Sequence, residues 1–145
     1  MYRKARKIWM SDFMINGRKK GKVNLAPADI NGLKKVLIAL KNGEAVGILP
    51  DQVADKGEGE LAFFFGRPAY TMVLVNKLIK RTDATIMMAY GERLKNGNGF
   101  NIHVEKIERN DIETLNDLNM QIENFIKKNP TQYYWSYDRY KTVQK

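Results

Sequence analysis

Apolar side chains recur at helical spacing along one long stretch of this chain. Ile112, Leu115, Leu118, Ile122, Phe125 and Ile126 lie three or four residues apart, and Pro130 prevents the run from continuing. That spacing puts them on one stripe of an α-helix from about Asp111 to Lys127, and such a stripe has to be buried against other elements. A chain that carries it is committed to a packed core. Its 145 residues suit one ordinary domain, and an apolar share of 43% is enough to fill one core. We expect a single domain over residues 1–145, with residues 1–22 as an arm.

Other segments supply what that helix packs on. Asp29 reads as an N-cap, with Ile30, Leu33, Val36, Leu37 and Leu40 inward and Gly43 closing the helix. Lys22 to Leu25 is a short strand candidate. Ala45 to Leu49 is a continuous apolar run, as in a strand covered on both faces, and it stops at Pro50, Asp51 and Gln52. Asp55 to Glu60 reads as a Gly-rich loop, followed by an aromatic patch at Phe63 to Phe65. Thr71 to Lys80 has helical periodicity through Met72, Val75, Leu78 and Ile79. Ala84 to Tyr90 and Phe100 to Val104 are strands joined through Lys95-Asn96-Gly97-Asn98-Gly99, a loop suited to an antiparallel hairpin. The fold class is α/β, a mixed sheet flanked by helices.

Charge is unevenly placed. The chain carries a net +9, while residues 1–22 hold eight basic residues against Asp12 alone, a local charge of +7. An arm of this kind favours phosphate-bearing partners, on lipid or on nucleic acid. The absence of cysteine excludes disulfides, thiolate metal sites and cysteine nucleophiles. No apolar run approaches the roughly 20 residues needed to cross a bilayer, and the N-terminus lacks the pattern of a signal peptide, so we expect a chain that works on the cytosolic side.

Three segments carry a resemblance. Gly43 to Gln52, ending in Gly47-Ile48-Leu49-Pro50-Asp51-Gln52, resembles the third sequence block of the lipid A (lauroyl and myristoyl) acyltransferases, within the lysophospholipid acyltransferase superfamily. Phe64-Phe65-Gly66-Arg67-Pro68-Ala69-Tyr70-Thr71 is similar to that family's aromatic and Gly-Pro block. Gln132 to Lys141, with Tyr133-Tyr134-Trp135-Ser136-Tyr137-Asp138-Arg139-Tyr140, is similar to its C-terminal ending. At the front, Tyr2-Arg3 resembles the start of the second block, although Lys4 replaces its proline and Lys7 an asparagine, and Arg18 is similar to that block's arginine.

The resemblance implies transfer of a fatty acyl chain from acyl carrier protein to a hydroxyl of a lipid A precursor, without cofactor or metal, at the cytoplasmic face of the inner membrane. It also implies a partial acyltransferase fold, the C-terminal and acceptor-side half. Arg18, Arg3, Asp51, Gln52, Pro50, Gly66 and Pro68 are then the substrate-binding residues, with Arg18 suited to phosphate through its paired donors. From the residues alone, Pro50-Asp51 reads first as an ordinary turn.

The family's base is a histidine followed, after four intervening residues, by an acid. The only histidine is His103, in a predicted strand with Glu105 two residues on, alternating with Phe100, Ile102 and Val104. We read it as a solvent-facing strand residue. The catalytic pair and a membrane anchor are expected upstream of Met1, which leaves this chain without catalytic residues and inactive alone. Exposed sheet edges then invite self-association.

The aromatic ending has three readings: a base-stacking platform, an interfacial belt, or a strip that packs back on the domain. The last suits side chains that bury large area while keeping a polar tip. A small basic nucleic-acid-binding module is the alternative from another class. It has only charge and aromatics in its favour, and no helix-turn-helix, RNP-like or zinc-finger spacing is present, so no nucleic-acid partner is expected.

Overall fold

The computed structural model describes Gly17, Gly21 and residues 23–142. The chain divides into two compact units with the boundary between Ile48 and Leu49.

In the first unit, α1 spans Ile30–Lys41. Asp29 caps it as expected, its carboxylate accepting from the Gly32 amide at 2.9 Å. Asn42 and then Gly43, at φ +75°, end it. Val36 is buried, whereas Ile30, expected inward, is exposed, because the cap fixes the first turn at the rim of the helix. Two expected strands are not formed. Val23 to Leu25 and Ala45 to Leu49 are irregular, and Leu49 is 70% exposed. A strand exists only through a ladder partner, and none faces these runs among the described residues.

The second unit opens with a hairpin the sequence did not announce. Strand β1 (Gly59–Phe64) pairs antiparallel with β2 (Arg67–Met72), so that Phe63 faces Pro68 and Phe64 faces Arg67. Val53 adds an isolated bridge to Thr71. The connection is only Phe65 and Gly66, at φ +46° and +74°, the two-residue loop whose twist matches that of the strands. Helix α2 (Leu74–Arg81) is shorter than the predicted Thr71–Lys80, because Thr71 and Met72 belong to β2. Arg109 closes α2, donating to the Ile79, Thr82 and Ala84 carbonyls at 2.7 to 2.9 Å.

Strand β3 (Ile86–Arg93) then pairs antiparallel with β4 (Phe100–Ile107) as expected, with Tyr90 opposite His103. A single turn at Arg109–Ile112 precedes α3 (Leu115–Lys128), which begins at a Thr114–Asp117 capping box and stops before Pro130. The buried core joins both hairpins to this helix: Phe64, Ala69, Ile107, Ile112, Leu118, Ile122, Phe125 and Ile126. The result is α/β, but among the described residues it holds two separate two-stranded antiparallel sheets in place of one mixed sheet. No helix among them is long and apolar enough to cross a membrane.

One expectation about β4 is inverted. Ile107 is buried, and alternation puts His103 and Glu105 on its face, toward α3. His103 is therefore half-buried and stacked on Tyr90 at 4.6 Å, while Phe100, Ile102 and Val104 are exposed.

At Gly66, any other residue has to adopt a left-handed conformation costing roughly 1–2 kcal/mol. Gly66→Ala is expected to lower unfolding free energy by about that amount in urea titrations, and Gly66→Asn by less, since asparagine tolerates positive φ.

Candidate functional site

In the second unit, the hairpin segment Phe64 to Thr71 and the C-terminal segment Gln132 to Lys141 meet around one buried cation, with Leu49 to Gln52, the end of the remaining segment, in the same unit. Arg139 is only 3% exposed. Its Nη1 donates to the Tyr70 carbonyl at 3.0 Å and its Nη2 to Thr71 Oγ1 at 2.9 Å and Asn119 Oδ1 at 3.4 Å. The guanidinium also lies 5.2 Å from the centre of the Phe64 ring. The Thr71 hydroxyl is saturated: it donates to the Ala69 carbonyl and accepts from Arg139 and from Asn119 Nδ2. Asn119 Nδ2 also donates to the Phe63 carbonyl at 2.9 Å, fixing α3 to β1.

The rest of the C-terminal segment closes over this cluster. The Tyr140 hydroxyl donates to the Phe64 carbonyl at 2.7 Å, and Arg67 lies 4.1 Å from the centre of its ring. Tyr133 and Phe65 both pack on Trp135, whose indole N–H donates to the Pro130 carbonyl. The aromatic ending packs back on the domain, the role expected for it. The Tyr137 hydroxyl accepts from the Val53 amide at 2.9 Å, which ties the segment following Asp51 to the same tail.

Electrostatics link Asp51 to the cluster. Burial raises the Tyr133 pKa above the ordinary tyrosine value, and the negative charge of Asp51 raises it further, against the opposing pull of Arg139. Burial lowers the Arg139 pKa, while Tyr133, Tyr137, Asp51 and Tyr140 pull it back up. A guanidinium stays charged under either influence. The negative charge of Asp51 thus acts on both Arg139 and Tyr133.

Pro50 and Asp51 occupy a turn and are half-buried, with Gln52 exposed beside them. They do not follow the end of a buried strand, since Ala45 to Leu49 is not one; the tail holds this segment in place instead. Gly66 forms the hairpin turn, and Pro68 lies exposed on β2 opposite Phe63, so both shape the hairpin. Arg3 and Arg18 lie outside the described residues. Arg139, Thr71, Asn119, Tyr133 and Tyr137 were not among the expected site residues. Asn119 did leave a signal, a polar residue on the stripe of Leu115, Ile122 and Ile126.

Glu108 follows His103 after four intervening residues, so the chain does hold the spacing of the family's catalytic pair, contrary to the expectation that no such pair is present. The two do not meet: five residues of strand separate them by roughly 17 Å, on opposite faces. His103 Nε2 pairs with Glu92 at 2.8 Å, and Glu108 takes Lys106 at 2.7 Å. Among the described residues no group of three or more His, Cys, Asp and Glu is arranged to hold a metal ion. A cleft of about 590 Å³ lies away from the cluster, lined by Asn76, Ile79, Arg81, Asp83 and Arg109 among others, and contains none of the family segments.

Two outcomes are expected. Arg139→Met removes a donor from the Tyr70 carbonyl, Thr71 Oγ1 and Asn119 Oδ1, of which the first two keep another partner in Ala54 and Asn119, so a loss of about 1–3 kcal/mol is expected for the Asn119 oxygen left unpaired, and Arg139→Lys recovers only part because it lacks the planar fork. Urea unfolding measures both. Tyr133, with its pKa raised in the folded state, contributes stability that is present below the ordinary tyrosine pKa of about 10 and is lost as pH rises through the raised value. Tyr133→Phe is expected to flatten that alkaline decline and to remove one phenol with a raised pKa from the absorbance change at 295 nm.

A search of curated proteins returns no match. The family model described as bacterial lipid A biosynthesis acyltransferase matches residues 1–142, which takes in all three segments. The chain belongs to the bacterial lipid A biosynthesis acyltransferase family.

Proposed function

We propose that this chain forms the acceptor-side part of an acyltransferase that moves a fatty acyl chain from acyl carrier protein to a hydroxyl of a lipid A precursor. The observation that supports the reading is the packing of the hairpin and C-terminal family segments around the buried Arg139, on which the charge of Asp51 also acts. In this reading Asp51 and Gln52, with Pro50 behind them, contact the acceptor, Gly66 and Pro68 shape the hairpin, and Arg18 and Arg3 bind lipid phosphates. Acyl carrier protein docks on the assembled enzyme at the cytoplasmic face of the inner membrane. Residues 1–22 help hold the chain to an anionic lipid surface, each lysine or arginine near it being worth about 1 kcal/mol.

The base that takes the hydroxyl proton comes from polypeptide outside these 145 residues, because His103 has no acid at the family spacing within reach. The chain by itself is therefore inactive. With purified chain, acyl carrier protein loaded with a fatty acid and a lipid A precursor, no transfer above background is expected, since losing the general base alone costs about 10² to 10⁴ in rate. Transfer that survives purification overturns this part of the reading, and His103→Ala then reports whether His103 is the base.

Acceptor contact is tested apart from catalysis. Asp51→Asn is expected to weaken binding of the lipid A precursor by about tenfold, the worth of a hydrogen bond to a charged group, with little change in melting temperature. Unchanged affinity removes Asp51 from the acceptor site.

A further inference from the structure

The turn that joins β1 to β2 is built on a residue ill suited to it. Phe65 and Gly66 both have positive φ, +46° and +74°. The first position of such a two-residue loop favours Asn, Asp or Gly, because a larger side chain meets its own backbone in the left-handed region. Two kinds of contact hold Phe65 there. Its ring packs edge-on to Phe64 at 4.9 Å and against Trp135 at 5.7 Å. Its amide donates to Glu123 Oε1 at 2.7 Å, and a bond to a carboxylate is stronger than one between neutral groups.

Glu123 belongs to a polar stripe on α3. Asn116, Asn119 and Glu123 are spaced by three and four residues and so share one face of the helix. All three bond to the same edge of the hairpin: Asn116 Oδ1 accepts from the Phe63 amide at 2.8 Å, Asn119 Nδ2 donates to the Phe63 carbonyl at 2.9 Å, and Glu123 takes the Phe65 amide. The helix stands where a third strand would stand. The two asparagines hold the strand, and Glu123 alone reaches the turn. Its side chain is only 16% exposed, with its second oxygen 3.7 Å from Lys127 Nζ. From the other side the Tyr140 hydroxyl holds the Phe64 carbonyl while its ring carries the Arg67 guanidinium. The turn is thus gripped between α3 and the C-terminal segment, while Gly66, Arg67 and Pro68 remain exposed.

We infer that Glu123 is a positioning residue for the acceptor: by holding the Phe65 amide it keeps Gly66, Arg67 and Pro68 in the one turn conformation that meets the lipid A precursor. The inference rests on the reading of Gly66 and Pro68 as acceptor-side residues, and it adds to them a residue that touches no substrate. A turn needed only to reverse the chain is met by Asn-Gly with no help from a helix. Here a phenylalanine is held in a sparsely populated conformation by a carboxylate on another element, the kind of strain that collects at binding sites. Apparent affinity falls in proportion to the share of molecules that hold the competent turn, so loss of the Glu123 bond reads out as weaker binding.

The test is calorimetric titration of the full chain with lipid A precursor, alongside the Phe65 amide signal in nitrogen–proton correlation spectra. Glu123→Ala is expected to move that signal upfield and to weaken binding about tenfold, the worth of a hydrogen bond to a charged group. Glu123→Gln, which keeps an acceptor at the same reach, recovers most of the affinity. Asn116→Ala, which unpairs the Phe63 amide on the same edge without touching the turn, leaves affinity within about twofold, as for a surface change. In a Phe65→Asn background the turn holds itself, since asparagine tolerates positive φ, and adding Glu123→Ala changes affinity by less than about twofold. That pair carries the test if the single variant does not fold. Affinity that survives Glu123→Ala, or that Asn116→Ala weakens as much, makes Glu123 a structural contact and overturns the inference while the acceptor reading stands. A full loss on adding Glu123→Ala to Phe65→Asn also overturns it, because Glu123 then acts otherwise than through the turn. A parent chain that does not bind the precursor overturns the acceptor reading and the inference with it.

Discussion

A buried guanidinium is tolerated only where its donors find acceptors already in place, and Arg139 imposes that condition on most of the second unit. It needs the Tyr70 carbonyl at the right point of β2, the Thr71 hydroxyl turned inward, and Asn119 presented by α3. Each of those groups is itself positioned by something else, Thr71 by strand pairing and Asn119 by its bond to the Phe63 carbonyl. The cluster is therefore coupled: removing one member takes a partner from each of the others, and a buried group left unpaired costs more than the lost bond. Among the described residues Arg139 Nε has no hydrogen-bond partner.

That condition explains how the C-terminal segment acquires a fixed place without regular structure. After the single turn at Pro130–Gln132 it forms no helix or strand, yet Tyr133, Tyr137, Arg139 and Tyr140 are each anchored to the hairpin or to the chain just before it. Asp51 inherits its surroundings from this arrangement. Its neighbourhood is set by a tail more than eighty residues later in the chain, and not by the end of a strand.

The β3–β4 hairpin illustrates how little a spacing rule says without a face. His103 and Glu108 stand at the interval of the family's catalytic pair, but a strand rises about 3.3 Å per residue and alternates sides, so the interval that could bring two side chains together on a helix separates them here. Ile107 decides the matter. Once it enters the core, the odd-numbered positions of β4 share its face, which turns His103 toward Tyr90 and leaves Phe100, Ile102 and Val104 on the other.

What the sequence determined by itself is local. Helices α1 and α3, the cap at Asp29, the stop before Pro130 and the antiparallel pairing of β3 with β4 all follow from spacing, capping and turn chemistry within a few residues, while the start of α3 lies at Thr114 and not at the expected Asp111. The family segments were legible as segments for the same reason. Tertiary structure decided the rest. It withheld a strand from Ala45 to Leu49, because an apolar run becomes a strand only when a neighbour supplies its hydrogen bonds. It gave β1 and β2 a turn through Phe65, a residue that adopts positive φ only where aromatic contacts with Phe64 and Trp135 offset the strain. It assigned the two faces of β4, whose periodicity is the same whichever side is buried. And it brought Arg139 to Thr71 and Asn119, a contact between distant residues that no local pattern encodes, since the demand for partners arises only after the guanidinium has left water.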